Sequence, residues 1–279
     1  MAKHFLHTFK EKRPGWAAVL TGDQYALFRQ KLLRSSNSSI DPEQCDKKGI
    51  FRHKDIDLNV ANLAALCAHQ PIENWDTEID RWTAGLDPSR GWQVPRYPDE
   101  VGKLKIQLYP VDYFNGTSDR EEYLTRQDMP GVLSTIVVDM PERLVAMTKS
   151  ALGQWAVHAD DTYTKLLSLL KTEQPHTVNF TKLNGSDDVV AVLLSDDVTA
   201  SNHALVLDTL YPQLLGSSGA LVGIPHRHMI IVKKLDDEPS QDLTSRLHRM
   251  VQYMVKEQPG FVSDSVFWLK DGQFRRLTR

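Results

Sequence analysis

Cysteine is scarce in this chain, with two in 279 residues, Cys45 and Cys67. They form no C-x-x-C pair, which leaves no basis for a disulfide framework, a thioredoxin-like motif or a cysteine zinc site. A reducing cytosol is the expected compartment. Long apolar runs are missing too. None reaches the roughly 18–20 residues that a membrane-spanning helix needs. Residues Met1 to Glu11 mix charges and histidines with apolar positions, unlike the continuous apolar stretch of a signal peptide. No membrane association is therefore expected. Charge of one sign is also lacking, with 33 basic residues against 36 acidic ones and a formal net charge of −3. Nucleic-acid binders show a basic excess or stripe, so the balance argues against such a partner. The basic group Lys270, Arg275, Arg276 and Arg279 reads as the solvated end of a hairpin. The motifs G-x-S-x-G, H-E-x-x-H and G-x-G-x-x-G do not occur. There is no internal repeat and no low-complexity segment, and no cofactor is called for.

What remains is ordinary globular composition, 41% apolar and 25% charged. The length suffices for one large domain or two small ones. Residues 2–12 read as a short helix with Phe5, Leu6 and Phe9 on one side. Trp16–Leu20 and Tyr25–Leu32 read as two strands around a Gly22-Asp23 turn. Residues 34–48 read as a loop. Val60, Leu63, Ala64 and Cys67 recur at helical steps after Asn59, a cap residue, and Trp75, Ile79, Trp82 and Leu86 do the same. Cys67 then sits on an apolar face as a small hydrophobe. A Pro/Gly-rich stretch from Pro88 to Gly102 precedes a strand over Leu104–Tyr109. A polar loop over 110–122 suggests a division into 1–115 and 116–279, either as two lobes or within one continuous unit.

The second half is more regular. Leu133–Met140 and Arg143–Met147 read as paired strands around Pro141-Glu142, with helices between Ser150 and Lys171. Val178–Leu183 and Val189–Leu194 read as strands. A helix is expected over 198–215, interrupted at Pro212, which lacks an N–H. Ala220–Ile224 and Met229–Leu235 read as strands joined by the turn Pro225-His226-Arg227-His228. Leu243, Leu247, Met250, Val251 and Met254 mark a further helix. The chain closes on a hairpin around Asp271-Gly272, a pair suited to positive φ. Hairpins interrupted by helices give an α+β fold, mainly antiparallel sheet with helices packed on one face.

Few residues invite chemistry. His226 and His228 lie two apart, and in a strand they would face one side and could share a metal with a third ligand such as His203. The rival reading is a turn. Asp187-Asp188 and Asp196-Asp197 bracket one strand, where carboxylates hold Mg²⁺ in some enzymes and serve as turn and cap residues in most proteins. Gly216-Ser217-Ser218-Gly219 lacks the Lys-Ser/Thr of a phosphate loop and reads as a helix stop with a connector. Trp75, Trp82 and Trp155 fit helical core faces. Trp92, beside Arg96 in an irregular loop, reads either as a partner anchor or as a plug on the core edge. Trp92, Arg96, His226 and Arg227 are the candidate binding residues, and His203, His226 and His228 the candidate metal ligands.

The segment Gly219-Ala220-Leu221-Val222-Gly223-Ile224-Pro225-His226-Arg227-His228-Met229-Ile230-Ile231-Val232 resembles the YtpQ-like family of uncharacterised bacterial proteins, a domain-of-unknown-function group. It shows the family's apolar strand, Pro-plus-polar turn and second apolar strand, followed by a helix and a terminal hairpin. Val145-Ala146-Met147-Thr148 leading into Ala151-Leu152-Gly153-Gln154-Trp155 is similar to the family's strand-to-helix passage, and Asp57-Leu58-Asn59-Val60-Ala61-Asn62-Leu63 is a weaker match. The likeness covers about residues 124–279 and departs from the family at Ser217-Ser218. It implies no activity, cofactor or catalytic residue. The expected function is a protein-binding or regulatory module. The alternative is a metal-dependent hydrolase or small-ligand enzyme drawing on Asp188, Asp197, His203, His226 and His228.

Overall fold

The computed structural model describes residues 13–35, 40–45, 49–53, 56–84, 103–115, 120–140, 143–155, 158–183, 186–195, 197, 199–257 and 260–277. The helix expected over 2–12, the Pro88–Gly102 stretch, Asp196, Trp92 and Arg96 lie outside them. Two compact units emerge, 1–92 and 93–279.

The first unit begins with a correction. Where two strands were expected, the chain forms a 3₁₀ turn over Gly15–Ala17 and helix α1 over Gly22–Ser35. Tyr25, Phe28 and Leu32 step by three and four residues, and all three are buried. The apparent turn at Gly22-Asp23 is the helix's first turn. Thr21 N–H donates to Gln24 Oε1 at 2.8 Å, and Gln24 N–H donates to Thr21 Oγ1 at 3.2 Å. This reciprocal pair is a capping box, which satisfies two otherwise orphaned donors. A short hairpin, β1 (Ile50–His53) with β2 (Ile56–Asn59), leads into α2 (Val60–Ala68). Helix α3 (Trp75–Ala84) follows. As expected, Val60, Leu63, Ala64, Cys67, Trp75 and Ile79 are buried, and they share one core with the α1 stripe. Phe28 meets Trp75 edge-on with ring centroids 6.4 Å apart, a favoured aromatic geometry. Lys31 Nζ pairs with Asp76 Oδ2 at 2.5 Å across α1 and α3. Burial, with the charge of Glu78 adding to it, pushes the Cys67 thiol up to about 12, so it is inert as a nucleophile.

The second unit holds β3 (Leu104–Pro110), β4 (Thr125–Met129), β5 (Val132–Met140), β6 (Arg143–Ala146), α4 (Lys149–Gln154) and α5 (Ala159–Leu170). Next come β7 (Val178–Lys182), β8 (Val189–Leu194), α6 (Leu207–Leu210), β9 (Ala220–His226), β10 (Met229–Lys234), α7 (Gln241–Glu257), β11 (Val266–Lys270) and β12 (Gln273–Leu277). Strand β5 pairs along one edge with β3 and along the other with β4 and β6. Because β3 pairs over its whole length with β5, it belongs to the 93–279 unit, whereas the polar loop had suggested a division at 115/116. The other sheet has six strands in the order β12-β11-β9-β10-β8-β7. Every pairing in both sheets is antiparallel. The fold is α+β with antiparallel sheets, as expected.

Strand β9 is buried along its entire length. Leu221 faces Leu247 and Val251 of α7 together with Val190, Ile231 and Val266. Val222 and Ile224 face the other way, into a core with Ile230, Val232, Phe267, Leu207, Tyr211, Leu108 and Met129. The large sheet is therefore covered by α7 on one face and by the smaller sheet and residues 200–214 on the other.

Three local expectations change. The helix expected over 198–215 is a 3₁₀ stretch, Ala200–Val206, then α6, then a 3₁₀ turn restarted by Pro212 at its first position. Strand β9 runs through Pro225 to His226, so the turn is only Arg227-His228. Proline is tolerated there because the β9–β10 register shifts, with two β9 residues, Ile224 and Pro225, set against Ile230. Such a bulge removes the need for the missing N–H. The Gly216–Gly219 segment is a tight reverse turn in which each glycine N–H donates to the other's carbonyl, at 2.9 and 3.0 Å. The terminal hairpin forms as expected, with Asp271 at φ 50° and Gly272 at φ 71°.

Phe28→Ala should lower stability by about 3–5 kcal/mol, measured by urea denaturation, because it empties the centre of the first unit's core. Gly223→Ala tests the second unit. A Cβ there would strike Val251 Cγ2, so α7 must shift, at about 1–3 kcal/mol. Adding Val251→Ala should recover part of that loss in a double-mutant cycle.

Candidate functional site

The position of α7 leaves a groove. Through Gly223, Leu247 and Val251 the helix packs on β9 and β11. Strands β8 and β7 continue the sheet beyond it. Between the flank of α7 and these strands lies a groove of about 520 Å³, lined by Thr181, Lys182, Val192, Arg246, Arg249, Met250, Tyr253 and Met254. The five helical residues fall at steps of three and four, so they form one stripe beside the buried Leu247–Val251 stripe. Methionine, tyrosine and arginine are the residue types enriched in recognition surfaces. Tyr253, in the groove's lining, is 59% exposed; Phe180 on β7 is 67% exposed but opposes Ala191 and so lies on the other face of the sheet.

The groove is basic. Lys182, Arg246 and Arg249 line it and no carboxylate does. Arg246 pairs with Asp242 at 2.8 Å one helical turn away, and Lys182 with Asp187 at 2.7 Å. Both pairs are surface pairs, weak enough to exchange partners.

The residues singled out from the sequence lie elsewhere. His203 is buried in the 3₁₀ stretch, where Nδ1 meets the Tyr211 hydroxyl at 2.8 Å and Nε2 meets Glu173 Oε2 at 2.9 Å. The Tyr211 oxygen accepts the His176 N–H at 2.7 Å, and the His176 ring stacks on His203 at 4.2 Å. An oxygen that already accepts is best placed to donate its own proton to Nδ1, which makes Nε2 the protonated nitrogen facing the carboxylate. Both nitrogens are thereby engaged. Burial, then the neighbouring His203, lowers the His176 pKa. Next in the chain, Asn202 donates to the Ile106 carbonyl on β3.

His226 and His228 come together at the β9–β10 turn with rings 6.2 Å apart. His226 Nδ1 accepts the His228 N–H at 3.3 Å, and His228 Nδ1 lies 3.2 Å from the Ser195 carbonyl. Arg227 donates its N–H to Gly260 and accepts from Ser201 N–H. Asp188 pairs with Lys233 at 2.9 Å, which holds its carboxyl below the usual range. Asp197 accepts from the Thr199 backbone and hydroxyl and lies 3.5 Å from Lys105. Among the described residues, no three His, Cys, Asp or Glu side chains are placed to hold one metal ion. His203 is engaged by Tyr211 and Glu173, while His226 and His228 contact each other, so the three candidate ligands are not brought to one point. None of these residues lines the groove.

Sequence reasoning used Met250 and Met254, with Leu243, Leu247 and Val251, only to mark a helix. The missed signal was Arg246, Arg249 and Tyr253 at the same helical steps, which gave the helix a second, mixed stripe. Comparison of the chain with protein-family models, curated proteins and solved structures finds no match.

Burial, with the charges of His228 and Arg227 adding to it, lowers the His226 pKa from 6.5 to about 4. The unfolded chain thus binds this proton more readily than the folded one. Stability is unaffected by the group above about pH 6.5 and falls as pH drops from there towards about 4. This window lies above the one in which Asp188 and Asp197 are protonated. Urea midpoints of the native chain should decline across it, and His226→Gln should flatten that decline. A His226 imidazole resonance, assigned by its loss in His226→Gln, that titrates near 6.5 would contradict the burial argument.

Proposed function

We propose that this chain is a non-enzymatic protein-binding module of the reducing cytosol, and that the groove beside α7 is its binding surface. The observation carrying this reading is the stripe Arg246, Arg249, Met250, Tyr253 and Met254 facing Thr181 and Val192 across open space. Apolar area beside Arg249 and beside cations held only in surface pairs favours a partner that brings both apolar side chains and negative charge. The scarcity of cysteine, two in 279 residues, fits a reducing compartment, and no helix among the described residues is long and apolar enough to cross a membrane. The near-neutral charge argues against nucleic acid. Membership of the YtpQ-like family belongs to the same reading. It rests on the order of strands, helix and hairpin over about residues 124–279 and brings no chemistry of its own.

The test is affinity capture from the source cell with the full chain and with Met250→Asp. The native chain should retain a protein partner in stoichiometric amount. The variant should lose it while its thermal midpoint stays within a few degrees of the native one. Capture of no stoichiometric partner, or capture indifferent to Met250→Asp, overturns the assignment.

A further inference from the structure

We propose that the occupant of the groove is an extended acidic segment of a partner protein, which joins the large sheet as an added strand along β7. This deepens the binding-module reading and depends on it. Strand β7 is the last in its sheet among the described residues, with β8 on one side only. Its register fixes which backbone groups are free. Leu183 N–H donates to the Asp188 carbonyl at 2.8 Å, and Leu183 continues the run in which Thr181 opposes Val190 and Asn179 opposes Val192. In an antiparallel ladder, hydrogen-bonded and non-hydrogen-bonded pairs alternate. Asn179, Thr181 and Leu183 therefore turn their backbone groups towards β8. Val178, Phe180 and Lys182 turn theirs outward, along an edge whose residues 179–182 are all exposed.

Sheet edges are normally blunted by proline, a bulge or several inward charges. Strand β7 has no proline, its pairing runs without a register shift, and it carries a single lysine. Phe180 stands exposed on it. A strand added here would send alternate side chains to the α7 side of the sheet, where Met250, Tyr253 and Met254 receive apolar groups and Arg246 and Arg249 receive carboxylates. The charge of the lining selects the class of partner: no carboxylate lines the groove, and Arg249 together with Arg246 and Lys182, whose surface pairs with Asp242 and Asp187 can exchange, favours an acidic segment over a basic one. A second copy of this chain paired β7 to β7 would set two such basic grooves side by side, which like-charge repulsion opposes.

The full chain, immobilised, is panned against a display library of short random peptides, and enriched peptides are measured by fluorescence anisotropy. Enriched sequences should alternate Asp or Glu with apolar residues. Arg249→Glu should weaken them by about tenfold or more, and added salt should weaken them further. N-methylating alternate peptide residues should abolish binding in one register and spare it in the other, since only one set of N–H groups faces β7. Phe180→Pro, which removes an outward donor and no ladder bond to β8, should act as the N-methyl groups do. Binding that responds to Arg249→Glu but tolerates N-methylation at every position leaves the groove reading standing and sinks strand addition. Enrichment of basic peptides sinks the acidic partner. Enrichment of none, or of peptides indifferent to both Arg249→Glu and Met250→Asp, overturns groove and strand addition together. A dimer in sedimentation that Phe180→Pro dissociates assigns the edge to a second copy instead.

Discussion

The close approach of α7 to β9 at Gly223 governs the second unit. Only a residue without a side chain leaves room for Val251 at that point. Once the helix is seated there, Leu247 and Val251 complete the apolar layer with Leu221, Val190 and Val266, and β9 becomes the fully buried centre of its sheet. The same contact sets the limits of coverage. A helix centred over β9 and β11 leaves its far flank facing β8 and β7 across a gap. The groove is thus a consequence of where the helix docks, and its chemistry is that of whichever residues occupy the flank.

Most of the fold was legible because its elements carry strong periodic signals. Val60, Leu63, Ala64 and Cys67 announce α2 by spacing alone, and the β-branched run in β5 and the Asp271-Gly272 turn announce strand and hairpin just as directly. The failures have physical causes. Around α1, Gly22-Asp23 was weighed as a turn while Thr21 and Gln24, three residues apart, carried the opposing signal of a capping box. At Pro225 the local rule that proline ends a strand was overridden by a bulge that makes its missing N–H harmless. The 3₁₀ winding of Ala200–Val206 depends on partners remote in sequence. Asn202 is held by Ile106, the Ser201 N–H by Arg227, and His203 by Glu173.

The groove was illegible for a different reason. Its walls come from residues 181–192 and 246–254, which meet only after the sheet has ordered itself so that β8 and β7 lie beyond β10 and β9. Histidines and paired aspartates drew attention because their types suggest chemistry. In the folded chain His203 and Asp188 hold segments together. His203 ties the chain after α5 to the 3₁₀ stretch through Glu173 and Tyr211, and Asp188 ties the start of β8 to Lys233 on β10. Polar side chains satisfied in this way rigidify a core. The side chains that line the groove are ones that look unremarkable in a sequence: two methionines, a tyrosine and two arginines on one helix.

The two edges of the large sheet, among the described residues, differ in a way that bears on the proposed strand addition. Strand β12 carries adjacent arginines, Arg275 and Arg276, and Arg276 reaches the β4–β5 turn, where it lies 3.4 Å from the position a Cβ would take at Gly131. That edge is charged and abuts the smaller sheet. Strand β7, at the opposite end, has one lysine, an exposed phenylalanine and regular pairing to β8. A bare edge on a protein that must stay dispersed is a hazard unless something restrains it. The proposed strand addition supplies an electrostatic restraint. In it the cations of Lys182, Arg246 and Arg249 disfavour a second basic edge and complement an acidic strand, which adds ladder bonds and apolar contact to the charge.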